Sequence, residues 1–170
     1  VAMVGGSEAA RGVADFVLLD PDFSAMVEVL KEGRRVINNI ENVASLYLVK
    51  TIYSTVLAVL FIYLPFAYPF SPLQMSPINT LTVGIPSFFL ALEANYSRPK
   101  GRFIANVLEN SVPAAITVIF NIIVIQLAGV AFDLPHADTA TMAVLLTGIV
   151  GLILLFKVSL PLNWKKRTMI

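Results

Sequence analysis

The feature that most constrains this chain is a polar interruption inside an apolar run. Ser76-Pro77-Ile78-Asn79-Thr80-Leu81-Thr82-Val83-Gly84-Ile85-Pro86-Ser87, followed by Phe88 to Leu92, lies in a stretch long enough to cross a bilayer. It nevertheless carries two prolines, a glycine, an asparagine and several hydroxyls. Lipid offers no hydrogen-bond partners, so an interrupted membrane helix persists only where protein or a water-lined cavity satisfies the freed backbone groups. Polar side chains on such a helix are the usual material of an ion or substrate site near the membrane midplane. The plainer alternative is that Ser and Thr here join helices and that proline only kinks the segment.

The surroundings favour the membrane. The chain is 57% hydrophobic and 14% charged, with mean hydropathy +0.80, whereas a soluble domain carries roughly a quarter charged residues. The expected fold is mainly α-helical and polytopic, with about four spans of the length a bilayer requires, at 43–64, 73–92, 111–132 and 139–156. The link Pro65-Phe66-Ala67-Tyr68-Pro69-Phe70-Ser71-Pro72 is aromatic and proline-rich, as suits a membrane interface. Residues 94–110 form a polar loop with Arg98, Lys100 and Arg102, and Asp133 to Asp138 a short acidic one. Lys157 and Lys165-Lys166-Arg167 come after the fourth span. Lys and Arg therefore lie before the first span, in the middle loop and after the last span. By the positive-inside rule both chain ends of this multi-pass cell-membrane protein are expected to be cytoplasmic. The absence of cysteine excludes disulfides and thiolate metal sites. A net charge of +1 with no extended basic patch gives no support to nucleic-acid binding. His136, in the acidic loop, reads as a solvated side chain.

Residues 1–35 differ in character. Val1 to Val4 and Phe16 to Leu19 read as short strands, with a helix between them from Glu8 to about Ala14, capped by Ser7. Asp20-Pro21-Asp22 ends the second strand. Strand, helix and strand in this order suggest the end of an α/β domain. So few residues cannot bury a core, and the rest of that domain is expected before Val1 or on another chain. The first residue is not Met, no signal peptide is evident, and a basic patch stands at the end, so both ends read as cuts through a longer protein.

Gly33 sets a candidate helix break that separates Phe23–Glu32 from the residues after it. Val36, Ile37, Ile40, Val43, Ala44 and Tyr47 then recur at helical spacing and run into the apolar stretch Leu46–Leu64. One long helix, soluble at its start and membrane-embedded at its end, could couple a cytoplasmic domain mechanically to the bilayer.

Lys50 stands inside the first span. A charge there is a functional candidate by default, although it lies near enough to the interface to snorkel. Lys50, Thr51 and Ser54 share a helical face, as do Asn79 and Thr82. If the two faces meet, they form a pocket of amide and hydroxyl oxygens beside an ammonium. Hard divalent cations prefer carboxylates, yet no acid stands in the middle of any span. A divalent site here would use neutral oxygens, with charge supplied from elsewhere. Glu93 reads as interfacial, and Asn121 and Gln126 as interhelical hydrogen-bond partners.

Val1-Ala2-Met3, Ala14-Asp15-Phe16-Val17-Leu18-Leu19-Asp20-Pro21-Asp22-Phe23 and Glu32-Gly33-Arg34-Arg35-Val36-Ile37-Asn38-Asn39-Ile40 resemble the end of the phosphorylation domain of a P-type ATPase and the start of its central stalk. The resemblance covers nearly the whole chain and implies a HAD-like phosphorylation domain ending near residue 35. It also implies a transmembrane domain from residue 36, whose spans correspond to membrane helices five to eight. Pro77 to Ser87 is most similar to the bacterial E-type cation-transporting ATPases, some associated with calcium. Asn79 and Thr82 match the asparagine and threonine ligand positions of calcium pumps, and the ligand positions of the fifth helix fall at Thr51 and Ser54. Val83 stands where those pumps have an aspartate. The resemblance thus implies an ATP-driven translocase for a divalent cation such as calcium. Its metal ligands would include Asn79 and Thr82, its path would add Thr51, Ser54 and Lys50, and it would use ATP and Mg²⁺ bound elsewhere in the polypeptide. The Asp-Lys-Thr-Gly phosphorylation motif is not in these residues, and Asp15, Asp20 and Asp22 read as turn and capping residues. The alternatives are a non-enzymatic membrane protein, either secondary transporter or scaffold, and a P-type pump or flippase for a non-metal cargo.

Overall fold

A computed structural model describes residues 1–19, 24–99 and 101–160. The Asp20-Pro21-Asp22 turn, Lys100 and the basic patch at 165–167 lie outside the described residues.

At the N-terminus β1 (Ala2–Met3) pairs in parallel with β2 (Val17–Leu18), Ala2 opposite Val17 and Met3 opposite Leu18. The helix α1 (Glu8–Val13) connects them. Ser7 begins it, its hydroxyl accepting a hydrogen bond from the Ala10 amide at 3.2 Å, while Glu8 in the first turn and Arg11 in the last complement the helix dipole. The unit builds no core of its own. Val13 is 87% exposed and Leu19 80% exposed, so apolar surface stays uncovered there.

The helix α2 (Ala25–Tyr63) is one element of 39 residues. The break expected at Gly33 does not occur. Open space surrounds the position where a Cβ would stand, and Glu32 pairs with Arg35 across the site. A glycine in an exposed helix costs about 1 kcal/mol, too little to stop a helix that already propagates on both sides. Leu64, extended and followed by Pro65, ends α2.

The run expected to be interrupted stays helical from Pro72 to Ala91. It consists of α3 (Pro72–Asn79), a π-helical turn at Thr80–Gly84, and α4 (Ile85–Ala91). Asn79, Thr80, Gly84 and Ile85 all keep right-handed helical dihedrals. The interruption is therefore a widening of the helix and not an unwound gap. Ser71 caps the start, accepting from the Gln74 amide at 3.3 Å, with Pro72 in the first turn.

Two longer helices complete the fold, α5 (Phe103–Ala131) and α6 (His136–Val158). α5 begins inside the stretch expected to be a loop, and His136 opens α6 instead of standing in a loop. α2, α5 and α6 are each long and apolar enough to cross a membrane. The run at 72–91 is divided by its π turn into pieces that are each too short alone. The chain is a mainly α-helical polytopic membrane protein.

α2 lies along α5 and α5 along α6, and the 72–91 run packs against α2 and α6. Small residues set the close approaches. Ser45, Ser111, Ala115 and Ala143 are fully buried, and the Ser111 hydroxyl stands 2.7 Å from the Val107 carbonyl and 3.1 Å from that of Ser45, sharing its proton across α5 and α2. Leu57, Leu90, Val118, Ile122 and Leu155 fill the space between helices. Lipid is as apolar as these side chains, so fit and polar contacts hold the helices together, not transfer from water.

Two consecutive asparagines tie α2 to the far end of the bent run. Asn38 donates to the carbonyls of Asn95 at 3.1 Å and Ser97 at 2.8 Å. Asn39, 4% exposed, donates to those of Ala91 at 3.0 Å and Glu93 at 2.8 Å. These amides satisfy the Ala91 carbonyl at the end of α4, which lacks a helical donor, and three carbonyls of the segment that follows it. Asn39→Ala strands two such oxygens and is expected to cost about 1–3 kcal/mol. The check is a lower unfolding midpoint in detergent together with faster hydrogen exchange over 91–97.

Candidate functional site

The bent run owes its shape to its prolines. Pro77 sits inside α3 and Pro86 in the first turn of α4. Pro86 has no N–H to give to the Thr82 carbonyl, the partner in a regular helix, or to that of Leu81, the partner in a π turn. The turn between the prolines widens, and the Ile85 amide reaches back five residues to the Thr80 carbonyl.

A small cavity of about 30 Å³ lies beside the π turn, between α2, α5 and α6. That volume suits a water molecule or a small ion. Its polar lining is Lys50 and Tyr53 from α2, Asn79 and Thr82 from the bent run, and Thr147 from α6, with Val118 closing it from α5. An open cleft of about 810 Å³ lies between α2 and the bent run, bordered by Tyr47, Ser76, Thr80 and Phe88. Lys50, Asn79 and Val83 line both spaces and so form the wall between them.

The hydroxyls share a local arrangement. Thr82 donates to the Ile78 carbonyl at 2.8 Å and Thr147 to the Ala143 carbonyl at 2.7 Å. Each proton is used within its own helix, which leaves the oxygen lone pairs free to accept or coordinate. Asn79 adds an amide oxygen. The ion pairs among the described residues, Arg11–Glu8 and Arg35–Glu32, lie in the N-terminal region and the start of α2. Among the described residues no carboxylate therefore pairs with Lys50. The cavity presents neutral oxygens and one cation.

Of the residues singled out from sequence, Lys50, Asn79 and Thr82 come together here. Thr51 and Ser54 do not line the cavity. Thr51 is exposed and donates to the Tyr47 carbonyl at 3.1 Å, and Ser54, half-buried, stands 3.3 Å from that of Thr51. Asn121 and Gln126 do not make the expected interhelical bonds among the described residues, and the Gln126 amide nitrogen is buried without a partner. The hydroxyls of Thr117 and Thr141 donate along their own helices. Thr147 and Tyr53 were not legible as site residues. Thr147 stands next to Gly148 and a few residues before Gly151 in an otherwise bulky run, the one local signal that this face approaches another helix.

The chain is 32% identical to a probable cation-transporting ATPase, exp7, of Streptococcus pneumoniae over 97% of its length, and spans 22% of that protein. It is 41% identical over 69% of its length to the calcium-transporting ATPase CtpE of Mycolicibacterium smegmatis, spanning 16% of it. The chain belongs to the P-type ATPase family. A calcium-transporting ATPase of Bacillus cereus is a further relative of this P-type ATPase chain, 33% identical over 55% of the chain and 11% of that protein. No family model and no solved structure matches. The chain thus corresponds to about a fifth of the length of these P-type ATPases, within their C-terminal part.

If Pro86 maintains the widened turn, Pro86→Ala supplies the missing donor and lets a regular helix re-form. Slower hydrogen exchange over 82–90 is the expected outcome.

Proposed function

We propose that this chain forms the ion path of an ATP-driven cation pump, with the cargo held between α2 and the π turn of the bent run. The observation that carries the reading is the convergence of Lys50, Asn79, Thr82 and Thr147 on one ion-sized cavity beside that turn. The cargo is a small metal cation, and the calcium named for a 41%-identical relative makes a divalent ion the first candidate. On entry it would exchange part of its hydration shell for the Asn79 amide oxygen and the Thr82 and Thr147 hydroxyl oxygens. Thr51 and Ser54 would serve the path further along α2. Lys50, at the wall between cleft and cavity, opposes a cation electrostatically, so it would weaken binding and favour release.

Residues 1–35 are assigned to the end of the cytoplasmic phosphorylation domain and residues 36–170 to the transmembrane domain, with both ends of the chain in the cytoplasm. ATP and Mg²⁺ would be held by other parts of the polypeptide, where hydrolysis drives the cycle. The described residues offer no cluster of three or more acidic or histidine ligands for a metal. What this chain contributes is the mechanical link. The unbroken α2 joins the cytoplasmic side to Lys50 and Tyr53, and Asn38 and Asn39 hold the end of α4 to the same rod. A displacement of α2 would carry both walls of the cavity.

In the full-length protein, Asn79→Ala and Thr82→Ala are expected to raise the cation concentration for half-maximal ATPase activity about tenfold each, as for loss of one strong ligand contact. Unchanged cation activation in both overturns the reading. The open cleft of about 810 Å³ favours one competitor, a pump for a larger non-metal cargo. Phosphoenzyme formation that ignores Ca²⁺, Mn²⁺ and monovalent cations alike would support it.

A further inference from the structure

The fourth span meets the bent run through two glycines, and they are not equivalent. A Cβ placed on Gly148 would stand 3.0 Å from Ile78 Cδ1, the far end of a flexible side chain that can swing away. A Cβ on Gly151 would stand 3.0 Å from Thr82 Cγ2, 3.1 Å from Thr82 Cβ and 3.4 Å from Thr82 Oγ1. Thr82 cannot swing away. It is β-branched, 7% exposed, and tied by its hydroxyl to the Ile78 carbonyl at 2.8 Å. Gly151 itself lines the same cavity of about 30 Å³, with Thr147 one helical turn before it.

We propose that Gly151 is a positioning residue: its missing side chain lets Thr82 seat directly on α6, and this fixes the distance between the Thr82 and Thr147 oxygens and with it the size of the ion the cavity accepts. The proposal rests on the reading of the cavity as the ion site. A methyl group at 151 has nowhere to go except into Thr82. Relief requires Thr82 to change rotamer, breaking its bond to Ile78, or the π turn to move off α6. Either change displaces one oxygen of the site while leaving the residue types unchanged. At Gly148 the same methyl displaces only a terminal carbon of Ile78, and the site oxygens stay in place.

The test uses the full-length protein in membrane vesicles, with ATPase activity titrated against Mg²⁺, Mn²⁺, Ca²⁺ and Sr²⁺. Gly151→Ala is expected to raise the half-maximal concentration of the preferred cation about tenfold, to change the ranking of the four ions, and to retain most of the maximal rate. Gly148→Ala is expected to match the wild type in affinity and ranking. A Gly151→Ala protein could also lose activity by misfolding, so the pair Gly151→Ala with Thr82→Ser is measured beside it. The serine keeps the hydroxyl, removes the methyl carbon at 3.0 Å and leaves Cβ at 3.1 Å on a side chain no longer β-branched, so partial recovery of affinity in the pair supports seating. Equal behaviour of the two glycine variants, or no recovery in the pair, overturns the proposal. Thr82→Ala separates the two levels. If it shifts cation activation while Gly151→Ala does not, the positioning role alone falls; if it shifts nothing, the ion-site reading falls with it.

Discussion

The backbone of the bent run must satisfy itself inside the bilayer although two residues beyond its first turn, Pro77 and Pro86, have no N–H to give. That constraint governs much of the rest. Hydrocarbon supplies no substitute donor, so the run cannot open into a loop there. It widens by one residue instead, and the π turn at Thr80–Gly84 keeps helical dihedrals while shifting the register of everything after it. Asn79 stands immediately before the turn and Thr82 within it, and both border one hollow with Lys50 and Thr147. The hydroxyls on this run follow the same economy. Thr80, Thr82 and Ser87 each give their proton to a carbonyl of their own helix, which satisfies the backbone and leaves oxygens facing outward as acceptors.

A cavity of this kind needs rigid walls, and the packing supplies them with small residues more than with large ones. Ser45, Ser111 and Ala115 bring α2 and α5 together, Gly129 admits Thr139 at the α5–α6 turn, and Gly148 and Gly151 admit Ile78 and Thr82. Membrane helices associate through such close contacts because the surrounding lipid removes most of the apolar driving force. At Gly129, Gly148 and Gly151 an added Cβ would stand 3.0 Å or less from a side chain of the neighbouring element. The asparagine clamp acts at the other end of the run. Asn38 and Asn39 donate to carbonyls at and beyond the end of α4, which ties that segment to a rod of 39 residues.

Much of this was legible in the chain because membrane helices obey few rules. Three of the four apolar runs of bilayer length form helices long enough to cross a membrane, and the strand–helix–strand order expected at the N-terminus is that of β1, α1 and β2. Gly33 misled, since an isolated glycine is a weak breaker beside the cooperativity of a long helix. His136 misled because a short acidic link does not announce where the next helix begins. Asn121 and Gln126 misled because polarity in a span names a need for a partner without naming the partner.

The sequence by itself determined that the chain is a helical membrane protein, that one run is interrupted at 77–86, and that Lys50, Asn79 and Thr82 are its unusual polar groups. Hydropathy, proline chemistry and the cost of charge in lipid are local properties, readable residue by residue. Only the tertiary structure decided that the interruption is a π turn, that Thr147 joins the cavity while Thr51 and Ser54 stay outside it, and that Gly151 lies against Thr82. Those outcomes depend on which faces of four separate elements meet, and helix rotation and approach are set by contacts between residues far apart in the chain.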